Sequence, residues 1–544
     1  MNGLRPDCGN TIRLRSIPSY VRFTLVAYSA HVSRQPALAS RRQLLQAMGI
    51  VSTGFLLANR AGASVTRHRP TLDRSTWVHH ENLRSGDSGW LRGPAAPAGT
   101  LEGYTNSTSV NIGETLSVFV STMWPTYAAK IYRMGYYQGH GARLVDALSA
   151  LRGEVRATPR ADQYGTVDCN WPVSFLISMD KKYLPGQYLI RLEAPSGEFA
   201  FVPFLVRDDS SRSTFVYMSS VTTWQAYNTW GGLSLYRGAD PLGTGGFNNA
   251  TRAVRVSFNR PYDRSFANGA ADFIGNEFPL LYLAEKLSLD LTYITDVDLH
   301  VRGKLLENHR ALLSLGHDEY YTPAMREAVT NAIDAGVNVA IFGANFCYRK
   351  IRFEDGVNGA NRLMVNYRST ADPINAVNSS LTTVNWSQPP SNAPSSSFTG
   401  SLYGGVNGTG SLRVEDASSW LWRGTGLADG AVLPGALGAE FNRYYPNAAN
   451  PPNVQILGHS PVAGGTSDIT YVAQPGRGGV FCSGTGQWIF HLSNAPLLNR
   501  GWVPGPSPGV TRPLTIATEN ILHLFAQGPA GTTMPSVANT SRFY

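Results

Sequence analysis

The feature that most constrains this chain is the alternation of buried strands and helices after Asp208. Between short apolar runs lie segments with helical periodicity. The clearest of them follows Thr322, which can cap a helix, and has Pro323 at its first helical position. The apolar runs that we predict as strands are 214–219, 291–295, 311–315 and 337–342. Alternation of this kind predicts an α/β domain over 209–527, built on an open parallel sheet covered by helices.

The preceding segment, 98–208, has a different pattern. Its short segments alternate polar and apolar residues, are separated by glycines and have no helical pattern between them. They predict an all-β sandwich of immunoglobulin-like type. Flanking these domains we predict a linker at 64–97 and a loosely held tail at 528–544, with a low-complexity loop at 388–410 inside the α/β domain.

The amino-terminal region, 1–63, resembles a bacterial twin-arginine export signal. Arg41 and Arg42 precede a weakly apolar stretch, and Ala61-Gly-Ala63 forms a small-x-small end. The apolar stretch is too short and too often interrupted to serve as a membrane anchor. We therefore expect an exported protein, either secreted or held in the cell envelope, without a stable membrane anchor.

Charge and cysteine content exclude several classes of protein. The formal charge is +9, but residues 1–63 hold eight Arg and one Asp and supply most of it. The remainder lacks the basic excess of a nucleic-acid-binding protein. Beyond that region, Cys169, Cys347 and Cys482 are scattered and form no Cys-x-x-Cys pair, although one disulfide with a leftover thiol stays open.

The polar and aromatic clusters of the chain follow the predicted strands. They occupy 222–230, 296–300, 316–321 and 343–348. In an open parallel sheet, ligands bind outside the carboxyl ends of the strands. We therefore predict the functional site at this edge, with Trp224, Tyr227 and Trp230 either in the core or in a substrate wall.

Common catalytic motifs are missing from the sequence. It contains no His-Glu-x-x-His, no EF-hand loop and no P-loop. Gly458-His-Ser-Pro-Val462 lacks the final Gly of a nucleophile elbow, which argues against a serine hydrolase. Two interpretations of Cys347 remain, a buried structural thiol and a nucleophile with His317 as its base.

Three motifs resemble the large (beta) subunit of N,N-dimethylformamidase and secreted proteins that carry its C-terminal domain. They are Gly316-His-Asp-Glu-Tyr320, Gly343-Ala-Asn345 and Ile351-Arg-Phe-Glu354, within a resemblance that spans roughly residues 100–525. The resemblance implies a class I glutamine-amidotransferase-like α/β fold. It also implies one iron ion held by two Tyr and one Glu, and hydrolysis of a formamide.

The resemblance implies Tyr320, Tyr282 and Glu354 as the metal ligands. The clusters that follow the strands supply the other expected site residues: His317, Glu319 and Asn345 as catalytic groups, and Trp224, Tyr227 and Asn228 as substrate contacts. Phenolate and carboxylate oxygens are hard donors that suit Fe³⁺. Glu319 or His317 would transfer protons, and Asn345 would donate to the oxyanion.

The sequence thus predicts an exported iron-dependent hydrolase of amide C–N bonds that acts on a small-molecule amide. The alternative is a non-catalytic exported protein that binds sugar or cell-wall material through a degenerate site. A homo-oligomer and a small partner subunit both stay open.

Overall fold

The computed structural model describes residues 75–238, 250–265, 267–406, 410–447, 449–492 and 507–544. The predicted signal region, Cys8 and the first part of the predicted linker lie outside the described residues. Two layers of strands form the first part of the described chain, and a mixed α/β arrangement forms the rest.

The first eight strands form two sheets around one apolar core. They are β1 (Leu101–Thr105), β2 (Ser109–Asn111), β3 (Thr115–Thr122), β4 (Thr126–Met134), β5 (Ala142–Arg152), β6 (Phe175–Ser178), β7 (Gly186–Glu193) and β8 (Phe199–Arg207). One sheet has the order β1-β3-β6 and the other β2-β8-β7-β4-β5. Alternate residues such as Leu116, Ile131 and Ile190 point into the shared core, because successive side chains of a strand face opposite sides.

Sixteen further strands lie in the described part of the remaining chain. They are β9 (Phe215–Ser219), β10 (Arg255–Ser257), β11 (Leu291–Thr295), β12 (Ala311–His317), β13 (Tyr320–Tyr321), β14 (Asn338–Ala344), β15 (Arg349–Lys350), β16 (Arg352–Gly356), β17 (Gly359–Val365), β18 (Leu402–Val406), β19 (Gly410–Arg413), β20 (Val432–Leu437), β21 (Glu440–Arg443), β22 (Gln455–Val462), β23 (Gly465–Ala473) and β24 (Gly479–Cys482). Seven of them form a sheet in the order β11-β9-β12-β14-β24-β23-β22. The first five are mutually parallel; β23 pairs antiparallel with β24, and β22 pairs antiparallel with β23.

The described α-helices complete the fold. They are α1 (Thr76–Asn82), α2 (Val221–Tyr227), α3 (Phe273–Asn276), α4 (Phe278–Lys286), α5 (Asp296–Arg302), α6 (Pro323–Asp334), α7 (Ser396–Thr399), α8 (Pro508–Ala526) and α9 (Ala530–Thr533). One face of the seven-stranded sheet packs with α5 and α6, and the other with α4 and α8. Within the described ranges, no helix has both the length and the apolar character needed to span a bilayer. The mixed α/β class is confirmed.

The buried strands and the helix that follows Thr322 were predicted correctly from the sequence. The predicted helix after Thr322 is α6, and the Thr322 side chain accepts a hydrogen bond from the amide of Met325. The apolar helical pattern from Ile274 to Ser288 is divided into α3 and α4 at Glu277. Pro279 lacks the N–H that a continuous helix would use there, so the second helix has to start anew.

Segments that we predicted as irregular contain ordered structure. Within the predicted linker, Trp90 is fully buried and its Nε1 donates to the carbonyl of His140 at 3.1 Å. The low-complexity segment holds α7 and β18. In the tail, the hydroxyl of Tyr544 donates to Asp468 Oδ2 at 2.6 Å, so the tail is held to the sheet.

A buried ion pair joins the strand layers to the α/β part. Arg133 of β4 contacts Glu285 of α4 at 2.6 Å, and both side chains are fully buried. Glu285 also accepts hydrogen bonds from Asn82 of α1 at 2.7 Å and from Tyr293 of β11 at 2.5 Å. Four elements therefore meet at one carboxylate.

We predict that Glu285→Ala lowers the free energy of unfolding by about 3–5 kcal/mol, because it leaves the buried Arg133 charge without its ion-pair partner. Denaturant unfolding followed by far-UV circular dichroism measures the loss. Lys182→Ala is the control, since its pair with Asp146 is largely exposed and contributes less than about 1 kcal/mol. Equal losses in the two variants would contradict the assignment.

Candidate functional site

Polar residues that follow three parallel strands meet at one edge of the sheet. Helix α2 follows β9, His317 ends β12 with Glu319 just beyond it, and Asn345 directly follows β14. The amide of Glu319 donates to Thr223 Oγ1 at 3.0 Å, which ties the end of β12 to α2. The carboxyl edge of the sheet thus gathers the groups expected there.

Glycine allows the backbone to reach this arrangement. Gly316, just before His317, has φ +54°, and a Cβ there would overlap the carbonyl oxygen of Asn276. Gly343 pairs with Gly316 on the adjacent strand, and a Cβ there would overlap the Gly316 carbonyl. Only glycine fits both positions without a shift of the backbone.

The centre of the site is the Glu319 carboxylate, which is 1% exposed. The hydroxyl of Tyr236 lies 2.9 Å from each of its oxygens, and the hydroxyl of Tyr227 lies 3.1 Å from Oε2. Arg349 Nε donates to Oε1 at 3.2 Å, and His317 Nε2 lies 3.3 Å from Oε2. Each carboxylate oxygen therefore has more than one partner.

Three phenols form a connected group beside this carboxylate. The hydroxyl of Tyr236 lies 2.9 Å from that of Tyr227 and 2.8 Å from that of Tyr320. The rings of Tyr227 and Tyr236 are stacked, with centroids 4.2 Å apart. Arg368 Nη2 donates to the Tyr320 hydroxyl at 3.1 Å. Tyr320 thus faces a cation, whereas the other two phenols face the carboxylate.

Burial and charge shift the pKa values of these groups. Burial and the Glu319 charge raise the pKa of Tyr227 and of Tyr236 well above the ordinary value, and they raise that of Tyr320 to about 12. Burial alone would raise the pKa of Glu319, but His317 and the Arg349 and Arg368 charges lower it to about 2. Glu319 is therefore ionised at neutral pH, and the phenols keep their protons unless a strong cation displaces them.

A second acid completes the proton-transfer groups. His317 Nε2 lies 3.0 Å from Glu440 Oε2, and both side chains are about one-fifth exposed. Burial alone would lower the pKa of His317, but Glu440 and Glu319 outweigh it and hold the pKa well above the ordinary value. Asn345 Nδ2 lies 3.3 Å from Glu440 Oε1 and 3.5 Å from His317 Nε2, so Asn345 orients this pair.

Two expected metal ligands do not join the cluster. The ring of Tyr282, on α4, packs against Tyr136 and Phe278. Glu354 is 37% exposed and pairs with Arg255 at 3.0 Å. Among the described contacts, none connects either residue with Tyr320, so the ligand set Tyr320, Tyr282 and Glu354 is not assembled. Both residues were expected from the resemblance alone, and the fold places their side chains against other partners.

The expected substrate contacts also divide. Tyr227 lies in the cluster, but Trp224 is 3% exposed and donates to Glu277 Oε1 at 3.0 Å. Asn228 is fully buried, and its Nδ2 donates to the carbonyl of Pro261 at 2.9 Å. Trp230 is 6% exposed and packs against Trp171. These three side chains support the fold, so the question left open for Trp224 and Trp230 is answered in favour of the core.

Four residues of the cluster were missed from the sequence. They are Tyr236, Arg349, Arg368 and Glu440. Tyr236 and Arg368 lie in irregular segments, and Glu440 begins a short strand well after the motifs. Of these four residues, only Arg349 could have been found from the sequence, because it directly follows the polar and aromatic cluster 343–348 at the end of β14.

The cysteines give no support to thiol chemistry. Cys169, Cys347 and Cys482 are free and buried, and burial raises the pKa of the Cys347 thiol to about 11. The Cys347 sulfur contacts Arg326 at 3.5 Å, and no described contact joins it to His317. Cys347 is a structural thiol in the apolar layer beneath α6.

The comparisons with known proteins agree with the motifs. The model of the family described as N,N-dimethylformamidase beta subunit-like, C-terminal, matches residues 128–500, which is more than half of the chain. No curated protein matches the chain. The matching family suggests a hydrolase-type function.

We predict that iodoacetamide leaves the Cys169, Cys347 and Cys482 peptides unmodified in the native protein at neutral pH. A thiolate is the reactive form, and these thiols are buried with raised pKa values. Peptide mass spectrometry before and after unfolding in urea measures the labelling, and the unfolded sample is the control. Rapid labelling of Cys347 in the native protein would instead support the interpretation of Cys347 as a catalytic nucleophile.

Proposed function

The chain belongs to the N,N-dimethylformamidase beta subunit-like family, and from this we propose that it hydrolyses an amide C–N bond at an iron site formed by Glu319, Tyr227 and Tyr236. The observation that carries the proposal is the direct contact of both phenol hydroxyls with one buried carboxylate, at 2.9 Å and 3.1 Å. Two Tyr and one Glu are the donor set that the resemblance implies. Tyr320 is replaced in that set, because its hydroxyl faces Arg368.

The residues present fit a hard trivalent cation. Among the described residues, no group of three or more His, Cys, Asp or Glu side chains is arranged to hold a metal ion, so a metal here needs phenol oxygens. Phenolate and carboxylate oxygens favour Fe³⁺ over softer metals. The chemistry that iron supplies when bound is polarisation of a carbonyl and acidification of water.

The chain's own residues would move the protons. Glu440 accepts a proton from the attacking water, while protonated His317 donates one to the departing amine nitrogen. Glu440 then returns its proton to His317 across their 3.0 Å contact, which resets both groups. Glu319, one of the two proton-transfer groups expected from the sequence, is better suited to ligation because its pKa is about 2. Asn345 holds Glu440 in place rather than facing the oxyanion.

The architecture is part of the same proposal. We propose a class I glutamine-amidotransferase-like fold for 209–527, which the parallel order β11-β9-β12-β14-β24 supports, and an immunoglobulin-like sandwich for 98–208. We also propose export by the twin-arginine route, which rests on the sequence of 1–63 alone.

We predict that purified wild-type protein contains one iron per chain and absorbs visible light through tyrosinate-to-iron charge transfer. Tyr236→Phe should lose the iron and the colour, because it removes a donor oxygen. The matched control is Tyr320→Phe, which should keep both. Metal analysis and visible absorption measure the result; iron loss in the control but not in Tyr236→Phe would refute the ligand assignment.

We further predict that His317→Gln lowers kcat for amide hydrolysis by about 10²–10⁴-fold, because it removes the proton donor. Iron content should stay unchanged, since His317 is outside the ligand set. Glu354→Gln is the control and should retain full kcat, because Glu354 pairs with Arg255 away from the site. Steady-state kinetics with N-formylated amines measures the effect, and an active His317→Gln enzyme contradicts the proton relay.

A further inference from the structure

Three guanidinium groups gather beside the site, and only one of them forms an ion pair with a carboxylate. Arg349 pairs with Glu319 at 3.2 Å, but among the described residues neither Arg368 nor Arg252 has a carboxylate within ion-pair distance. Arg252 donates instead to the carbonyl oxygens of Asn366 and Tyr367 at 3.1 Å and 2.7 Å. The edge of the site therefore carries excess positive charge.

The mutual repulsion of these arginines agrees with an excess of positive charge at this edge. Burial, followed by the positive charges of Arg368 and Arg349, lowers the pKa of Arg252 to about 10. A guanidinium normally titrates above about 12. An anion bound nearby would relieve this repulsion.

Two of the arginines have donors left for a ligand. Arg349 donates through Nε and Nη1, to Glu319 and Asn385, and Arg368 through Nε and Nη2, to Asn366 and Tyr320. Arg349 Nη2 and Arg368 Nη1 donate to no described residue. Pairs of terminal guanidinium nitrogens are well suited to carboxylate oxygens.

Both arginines belong to the wall of the site. The Arg368 guanidinium lies 4.1 Å from the centroid of the Tyr236 ring, and Arg349 reaches the Glu319 carboxylate. Arg349 and His317 are both partly exposed, at 17% and 18%, and they lie 3.2 Å and 3.3 Å from the same Glu319 carboxylate. The positive groups and the proton-transfer groups therefore meet around one carboxylate.

Iron would not cancel this excess. Three charges of Fe³⁺ would be matched by two phenolates and the Glu319 carboxylate. Glu440 would then be the only remaining anion in the described contacts of the cluster, against the three positive charges of Arg252, Arg349 and Arg368. The balance stays positive with or without the metal, and it favours an anionic substrate.

We propose that the substrates are amides that carry a carboxylate, such as N-acylated amino acids, and that Arg349 and Arg368 bind this carboxylate. The reaction class rests on the proposed amide hydrolysis, whereas the preference for an anion rests on the arginines alone. Arg368 is a specificity-determining residue in this scheme, and Arg252 adds a positive charge that acts on the same group.

The test compares two probes of nearly equal size, N-formylglycine, which is an anion, and the neutral N-formylglycinamide. Calorimetric Kd values and kcat/KM are measured on the iron-loaded full chain. We expect wild type to bind the anion about tenfold to hundredfold more tightly, as for hydrogen bonds between charged groups. The preference should fall to near one in Arg368→Gln and persist in part in Arg368→Lys, which keeps the charge.

Arg413→Gln is the matched control, since Arg413 is 51% exposed, pairs with Glu415 and should leave the preference intact. Equal binding of the two probes to wild type, no binding of either, or an unchanged preference in Arg368→Gln would overturn the proposal. A binding preference without turnover of either probe would keep the anion site and refute amide hydrolysis instead. The two proposals can therefore fail separately.

Discussion

The burial of one ionised carboxylate, that of Glu319, determines how the centre of this protein is arranged. A buried carboxylate is unfavourable unless donors and positive charges replace the water around it. Here the donors come from α2, β12, β15 and the irregular segment that contains Tyr236. Segments far apart in the sequence must come together to stabilise this charge. The site therefore also helps to hold these segments together.

A second buried carboxylate, that of Glu285, has a related role. Glu285 collects Arg133, Asn82 and Tyr293, and so joins the strand layers to the helices of the α/β part. The two carboxylates differ in access. Glu285 is sealed, whereas the partners of Glu319 include side chains such as His317 that reach solvent. Only the arrangement around Glu319 is suited to chemistry.

The elements with strong local signals could be predicted from the sequence. The buried strands and α6 have clear periodicity and end signals, and the parallel order of the strands brings His317, Glu319 and Asn345 to one edge. Tyr236, Arg368 and Glu440 had no such signal, because irregular segments and a short strand deliver them through tertiary contacts. Tyr282 and Glu354 were expected from the resemblance, and tertiary packing places their side chains against other partners, which no local pattern indicates.

The close approach of Gly316 and Gly343 limits how this site can change. A Cβ at position 316 would overlap the backbone carbonyl of Asn276, and one at position 343 would overlap the carbonyl of Gly316. Neither glycine can therefore be replaced without a shift of the backbone. Directed evolution of new specificities would have to leave this pair untouched and place its randomised codons in the segments that surround it. The two glycines are thus fixed by the backbone, whereas residues in the surrounding segments can be substituted.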